Sequence, residues 1–169
     1  MFVLFLTEVT PLSNPLVQIQ IRGANLAIIN GTVYAALIAP PNATTWVASS
    51  GPDGSIVLAD QASGFVLSAQ SSDPGTQAVA ISVDDDVPIT SWNIVQFSDD
   101  EGDGATPIKD PGELTSGYYT IQDPASGAYL YRNAIEDRSL RPKFVGFPSY
   151  LGDGPFELVI QVVSDGDDD

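Results

Sequence analysis

The chain has 169 residues, 43% of them hydrophobic, and sets 6 Lys and Arg against 22 Asp and Glu for a net charge of −16. That length implies one domain able to bury roughly 70% of its unfolded surface without covalent staples, and with no Cys and no His the thiol nucleophiles, Ser-His-Asp and Cys-His arrangements and every usual zinc or haem ligand set except carboxylates are excluded. Strong acidity argues against nucleic acid and anionic membranes as partners, since both demand a basic surface.

In chain order, MFVLFLTEVT is apolar but has no Lys or Arg ahead of it and breaks at Thr7-Glu8, too short for a signal core or a membrane span. It predicts a strand from Phe2 to Val9 and an unsignalled, cytoplasmic location. Val17 to Ile21 alternates apolar and polar residues, Val33 to Ile38 is a buried run, and Trp46-Val47 follows Pro40-Pro41-Asn42. Ser55 to Ala59, Phe65 to Ala69, Ala78 to Val83 and Trp92 to Phe97 follow, each bounded by Gly, Pro, Asp or Ser. No stretch carries a helical period, and 15 Gly with 13 Pro agree with an all-β chain.

An internal repeat sharpens this. Gly54 to Gln70, GSIVLADQASGFVLSAQ, aligns without gaps on Gly117 to Asn133, GYYTIQDPASGAYLYRN, and both contain Asp-x-Ala-Ser-Gly. Ile56 then matches Tyr119, Leu58 matches Ile121 and Leu67 matches Leu130, as two hairpins turning on equivalent corners require. Each unit closes on an aromatic strand, Trp92 to Phe97 in one and Phe156 to Gln161 in the other, and a more degenerate unit from Val17 to Ala48 closes on Trp46. Three such units predict a β-trefoil, a six-stranded barrel capped by three hairpins with pseudo-threefold symmetry. The alternative is a β-sandwich with a chance repeat. The units run over about 17–48, 54–97 and 117–163 of a single domain spanning 1–163. Residues 98–115 form an acidic linker, and 164–169 a disordered acidic tail.

Four of the six basic residues, Arg132, Arg138, Arg141 and Lys143, fall in the segment from Gly117 to Tyr150, a localised charge of the kind that meets a partner. This segment, with GYYTI and then Glu136-Asp137-Arg138-Ser139-Leu140-x-Pro142-Lys143, resembles the opening unit of the mushroom β-trefoil serine protease inhibitors of the cospin and cnispin type. Ile21 to Ser49, the Gln77 to Ile81 strand and Ser91-Trp92-Asn93-Ile94 are similar to later units of that fungal family. The family's first unit stands last here, so the resemblance implies a circularly permuted chain. Two segments then compete for one closing strand, Phe2 to Val9 and Phe156 to Val163. The surplus one is an extra edge on a monomer or pairs in a strand-swapped homodimer.

The resemblance implies inhibition of a trypsin-like serine protease by a loop from Arg132 to Lys143, whose P1 side chain fills the specificity pocket. Arg138-Ser139 is the first choice of bond. Arg141 is disfavoured as P1 by Pro142, and Arg132 with Asn133 is the second choice, Asn133 suiting an asparagine-preferring protease. The bland alternative is that Glu136, Asp137 and Arg138 pin the loop while Pro142-Lys143 opens the next strand.

The rival reading is a carbohydrate-binding trefoil lectin, with Asp60 and Asp123 at equivalent corners and Tyr129 and Tyr131 close by. The Gln-x-Trp signature of ricin-type lectins is missing from all three closing strands, and an Asp before a turn commonly makes an Asx turn. No enzymatic activity, cofactor or metal is expected. Asp84-Asp85-Asp86 and Asp99-Asp100-Glu101 read as solvated connections. The calcium-loop spacing Asp99-x-Glu101-x-Asp103-Gly104, with Asp110 at its twelfth position, has no flanking helices and contains Pro107. Asn30-Gly31-Thr32 and Asn42-Ala43-Thr44 are glycosylation sequons that matter only on secretion.

Overall fold

Alternation decides the first strand. In β1 (Leu16–Ile21), Val17, Ile19 and Ile21 point inward and are buried while Leu16, Gln18 and Gln20 face outward, the period of two that a half-buried strand imposes. The structure is a computed structural model and describes residues 14–36, 43–82, 87–97, 107–132, 142–147 and 157–164. After β1 come β2 (Ala24–Ile29), β3 (Thr32–Ala36) and β4 (Trp46–Ser50), then β5 (Ile56–Asp60), β6 (Val66–Ser68), β7 (Thr76–Gln77), β8 (Val79–Ile81) and β9 (Asn93–Gln96). β10 (Pro107–Ile108) precedes β11 (Gly117–Gln122), β12 (Tyr131–Arg132), β13 (Lys143–Phe147) and β14 (Leu158–Ser164).

The pairings close a ring. β1 pairs with β4, β4 with β5, β9 with β11, β11 with β14 and β14 with β1, all antiparallel. The remaining joint, β5 to the residue before β9, is made by Ile56 N–H donating to Trp92 O at 2.8 Å and Trp92 N–H donating to Ile56 O at 2.9 Å. Closure leaves the barrel strands no open side edge along these joints. The hairpins β2–β3, β6–β8 and β12–β13 lie over one end, and β3 touches both β8 and β13. This is the β-trefoil, with four-strand units starting at β1, β5 and β11.

The core repeats with the units. Ile21, Leu58 and Ile121 come from the first strand of each unit and Leu26, Leu67 and Leu130 from the hairpins, and all six are fully buried. Trp92 stacks on Phe147 at a centroid distance of 6.0 Å and donates its indole N–H to Leu67 O at 3.1 Å. Each buried side chain of this size contributes about 1.5–3 kcal/mol.

The closing position beside β1 is taken by Leu158 to Ser164, so the C-terminal segment wins the competition for it, and Phe2 to Val9 lies outside the described residues. β14 includes Ser164, the first residue of the expected tail. The second half of the acidic linker is packed, with β10 paired to β9 and Leu114 buried. The Tyr119 hydroxyl donates to Thr115 O at 2.8 Å and accepts from Thr115 N at 3.1 Å, which ties the connection to the barrel. Shifting the starting point by one whole unit of a closed threefold ring leaves every pairing intact, so chain order carries the idea of permutation and the fold does not record it.

Candidate functional site

The proposed inhibitory segment begins and ends inside the fold. Arg132, read from the sequence as a second-choice P1 residue, is buried at 7% exposure. Its Nη1 donates to Ile21 O at 3.0 Å and to Arg22 O at 3.3 Å. It is a fastening of the β1–β2 turn, because a guanidinium taken out of water needs such acceptors. Lys143 is likewise buried, at 6%, in β13 opposite Ala35. β12 and β13 pair through Tyr131–Gly146 and Arg132–Val145, so the intervening segment leaves and re-enters through adjacent strands. Asn133, Arg138, Ser139 and Arg141 lie outside the described residues, as do Glu136 and Asp137.

The two Asp-x-Ala-Ser-Gly corners are built alike. Asp60 accepts from Ala62 N at 3.3 Å, Ser63 N at 3.2 Å and Ser63 Oγ at 2.7 Å. Asp123 accepts from Ala125 N at 3.2 Å, Ser126 N at 3.3 Å and Ser126 Oγ at 2.7 Å. Gly64 and Gly127 take φ of 83° and 80°, left-handed values that favour glycine. Both carboxylates therefore hold their own loops, as Asx corners do. Asp123→Ala is expected to cost about 1–3 kcal/mol, because Asp123 is buried and its N–H partners lose their acceptor; Asp60→Ala, on a more open corner, should cost less. Urea melts of the two variants check the order.

Unit 1 replaces this corner with a two-residue turn, Arg22-Gly23, at φ of 53° and 83°. The next hairpin turns on Asn30-Gly31 at 51° and 82°, the Asn-Gly pair that such a turn favours. Arg in that position carries a steric cost of about 1–2 kcal/mol. Arg22 and Glu157 are both exposed, each just beyond the Gln20–Val159 end of the β1–β14 ladder. Tyr131, half-buried against the core, lies in the field of both. Burial pushes its hydroxyl above the ordinary phenol value of 10.0; Arg22 opposes that shift, Glu157 adds to it and Arg132 opposes it.

The structure thus gathers Tyr131, Arg132, Arg22 and Glu157 at the joint between the third and first units. Sequence reasoning had Tyr131 and Arg132 and missed the other two. An Arg before Gly between strands was a visible oddity, whereas Glu157 comes near Tyr131 only through ring closure. Among the described residues no group of three His, Cys, Asp or Glu is placed to hold a metal, and no helix is long and apolar enough to cross a membrane. Asp110 accepts from Gly112 N at 3.0 Å and caps the short turn Pro111–Glu113; Asp99, Glu101 and Asp103 lie outside the described residues.

No protein-family model and no curated protein matches the chain. Solved structures do. The designed threefold-symmetric protein ThreeFoil is similar at a TM-score of 0.61 and 20% identity, over 88% of this chain and 99% of that one. The ricin B-like lectin of Macrolepiota procera, solved with lactose, is similar at 0.59 and 15% over 92% and 99%. The SDF2-like protein of Arabidopsis thaliana is similar at 0.56 and 11% over 89% and 94%. At these identities the likeness is one of fold, and it agrees with the trefoil read from the strand pairings.

Proposed function

We propose that this chain is a non-enzymatic, carbohydrate-binding β-trefoil. The observation that carries the reading is the half-buried ring of Tyr131, packed on the core with the exposed Arg22 and Glu157 near enough to act on its hydroxyl. A fixed aromatic face beside hydrogen-bonding groups of both kinds suits a sugar, which offers an apolar C–H face and a rim of hydroxyls. The lactose complex of the Macrolepiota procera lectin shows that this scaffold serves such ligands in another protein. Asp60 and Asp123, candidates of the lectin reading that the sequence also read as Asx turns, hold their own corners, so the third unit is expected to bind alone. The test is calorimetric titration with lactose and a panel of other mono- and disaccharides. Wild type should bind at least one, and Tyr131→Ala should lose about tenfold or more in affinity while remaining folded. Absence of binding across the panel overturns the reading.

A second reading, inhibition of a trypsin-like serine protease by the 133–142 segment, is favoured by one observation. The segment is delimited by buried Arg132 and Lys143 on paired strands, a stem of the kind that keeps an inhibitory loop pre-organised. Titration of trypsin with wild type and Arg138→Ala tests it. Stoichiometric inhibition abolished by the substitution supports it, and no inhibition by folded wild type removes it.

A further inference from the structure

One outer face of the barrel carries no charge. β1, β4, β11 and β14 contain no Asp, Glu, Lys or Arg, in a chain of net charge −16. Of the three large hydrophobics exposed among the described residues, two stand on this face, Tyr118 at 57% and Val163 at 45% exposure. The register joins them. Tyr118 pairs with half-buried Val159, and Val159, Gln161 and Val163 follow one another along the outer side of β14, between buried Leu158 and Ile160 and on toward Ser164. At that end half-buried Leu16 pairs with Ser164 on one side and with half-buried Val47 on the other. Singly exposed apolar side chains are ordinary, whereas an uncharged face carrying an exposed Tyr and several aliphatics marks a contact surface.

The chain itself supplies an occupant of matching chemistry and length. Met1 to Leu6, MFVLFL, is uncharged and apolar, and it reaches β1 through Thr10 to Pro15, where Pro11, Ser13, Asn14 and Pro15 are turn-forming types. It therefore arrives at Leu16, the end of the face that holds Val163 and Val47. Phe2 to Leu6 extended spans about 17 Å, and the step from Val159 to Val163 covers about 13 Å. The closed ring denies this segment an edge along its joints, so the contact falls to side chains. We infer that Phe2 to Leu6 packs in cis across the outer face of β11, β14 and β1, over Tyr118, Val159 and Val163, as a strap on the joint between the third and first units.

The chain has no Cys, so introduced thiols report without background. Val3→Cys and Leu4→Cys are each combined with Gln161→Cys on the face and, as a control, with Ala62→Cys at the exposed Asp60 corner. Adjacent residues of an extended segment point opposite ways, so one of the two meets the barrel. A short bis-maleimide is added and the products are read by mass under denaturing conditions. One Gln161 pair is expected to form an intramolecular link at least about tenfold faster than its Ala62 control, at a rate independent of protein concentration. Adding Tyr118→Glu and Val163→Glu to that pair, with a thermal melt to verify folding, should bring the rate down to that of the control. Equal rates on face and corner, or no effect of the two glutamates, overturn the docking. A product of twice the chain mass, formed at a rate that scales with concentration, assigns the face to the segment of a second copy and overturns the packing in cis.

Discussion

Gly146→Ala is expected to destabilise the protein by about 3 kcal/mol or more, a fall in melting temperature on the order of 10 °C for a domain of this size. The reason is space. A Cβ at Gly146 would stand 2.2 Å from Thr76 O, 2.8 Å from Gln77 Cα and 3.0 Å from Ala78 N. All three are backbone atoms, so no side-chain rotation relieves the contact. Gly146 lies where β13 is paired on one side to Tyr131 of β12 and on the other to Gln77 of β7, and adjacent bonds lock the approach, Ala78 N–H to Val145 O at 2.9 Å and Gly75 N–H to Phe147 O at 2.6 Å. Gly112→Ala is the matched control. There the added carbon meets nothing closer than Asp110 Oδ1 at 3.4 Å, and the change should stay within about 0.5 kcal/mol. Thermal melts of the two variants side by side check the difference; equal stability would mean that the hairpin caps are less tightly joined than described.

The second large effect is expected at Arg132. Arg132→Met keeps most of the aliphatic stem and removes the guanidinium, leaving Ile21 O and Arg22 O without the Nη1 donor that each has now. Losing charge-assisted bonds to one buried and one partly buried acceptor costs about 2–4 kcal/mol, offset in part by burying an apolar side chain. Arg132→Ala adds a cavity and should cost more. The diagnostic is local. Hydrogen exchange at Ala24 and Asn25, beyond the Arg22-Gly23 turn, should accelerate in Arg132→Met more than exchange in β4 or β5. Uniform acceleration would mean that Arg132 contributes only to global stability. A P1 residue of an inhibitory loop would show neither effect, so the variant also separates fold anchoring from partner contact.

Much of this architecture was legible in the residues because trefoil units are local. The corner Asp60-Gln61-Ala62-Ser63-Gly64 and its copy Asp123-Pro124-Ala125-Ser126-Gly127 each satisfy their own backbone within a few residues, so near-identical sequence implied near-identical turns. The alternation of Val17, Ile19 and Ile21 and the tryptophans at the start of the first two closing strands, Trp46 and Trp92, were equally local. β2 was harder to read. ANLAII is buried at its first four positions, so the alternation that announces a half-buried strand is absent. The roles of charged residues were the least legible. Arg132 looks like any other member of a list of basic residues, and only ring closure, which brings β12 onto the β1–β2 turn across more than a hundred positions, makes it interior.

By itself, then, the sequence determined what depends on short-range chemistry: an all-β chain without thiol or imidazole chemistry, three units, two matched Asx corners and the barrel strands. The tertiary structure decided what depends on closure. It placed Leu158 to Ser164 in the last barrel position, packed the second half of the acidic connection, committed Arg132 and Lys143 to the interior, and set Arg132 on the carbonyls of Ile21 and Arg22. These are contacts between residues far apart in the chain. Each unit's pattern is compatible with several partners, and excluding all but one takes the simultaneous burial of three hairpin leucines and the pairing of every joint in one ring.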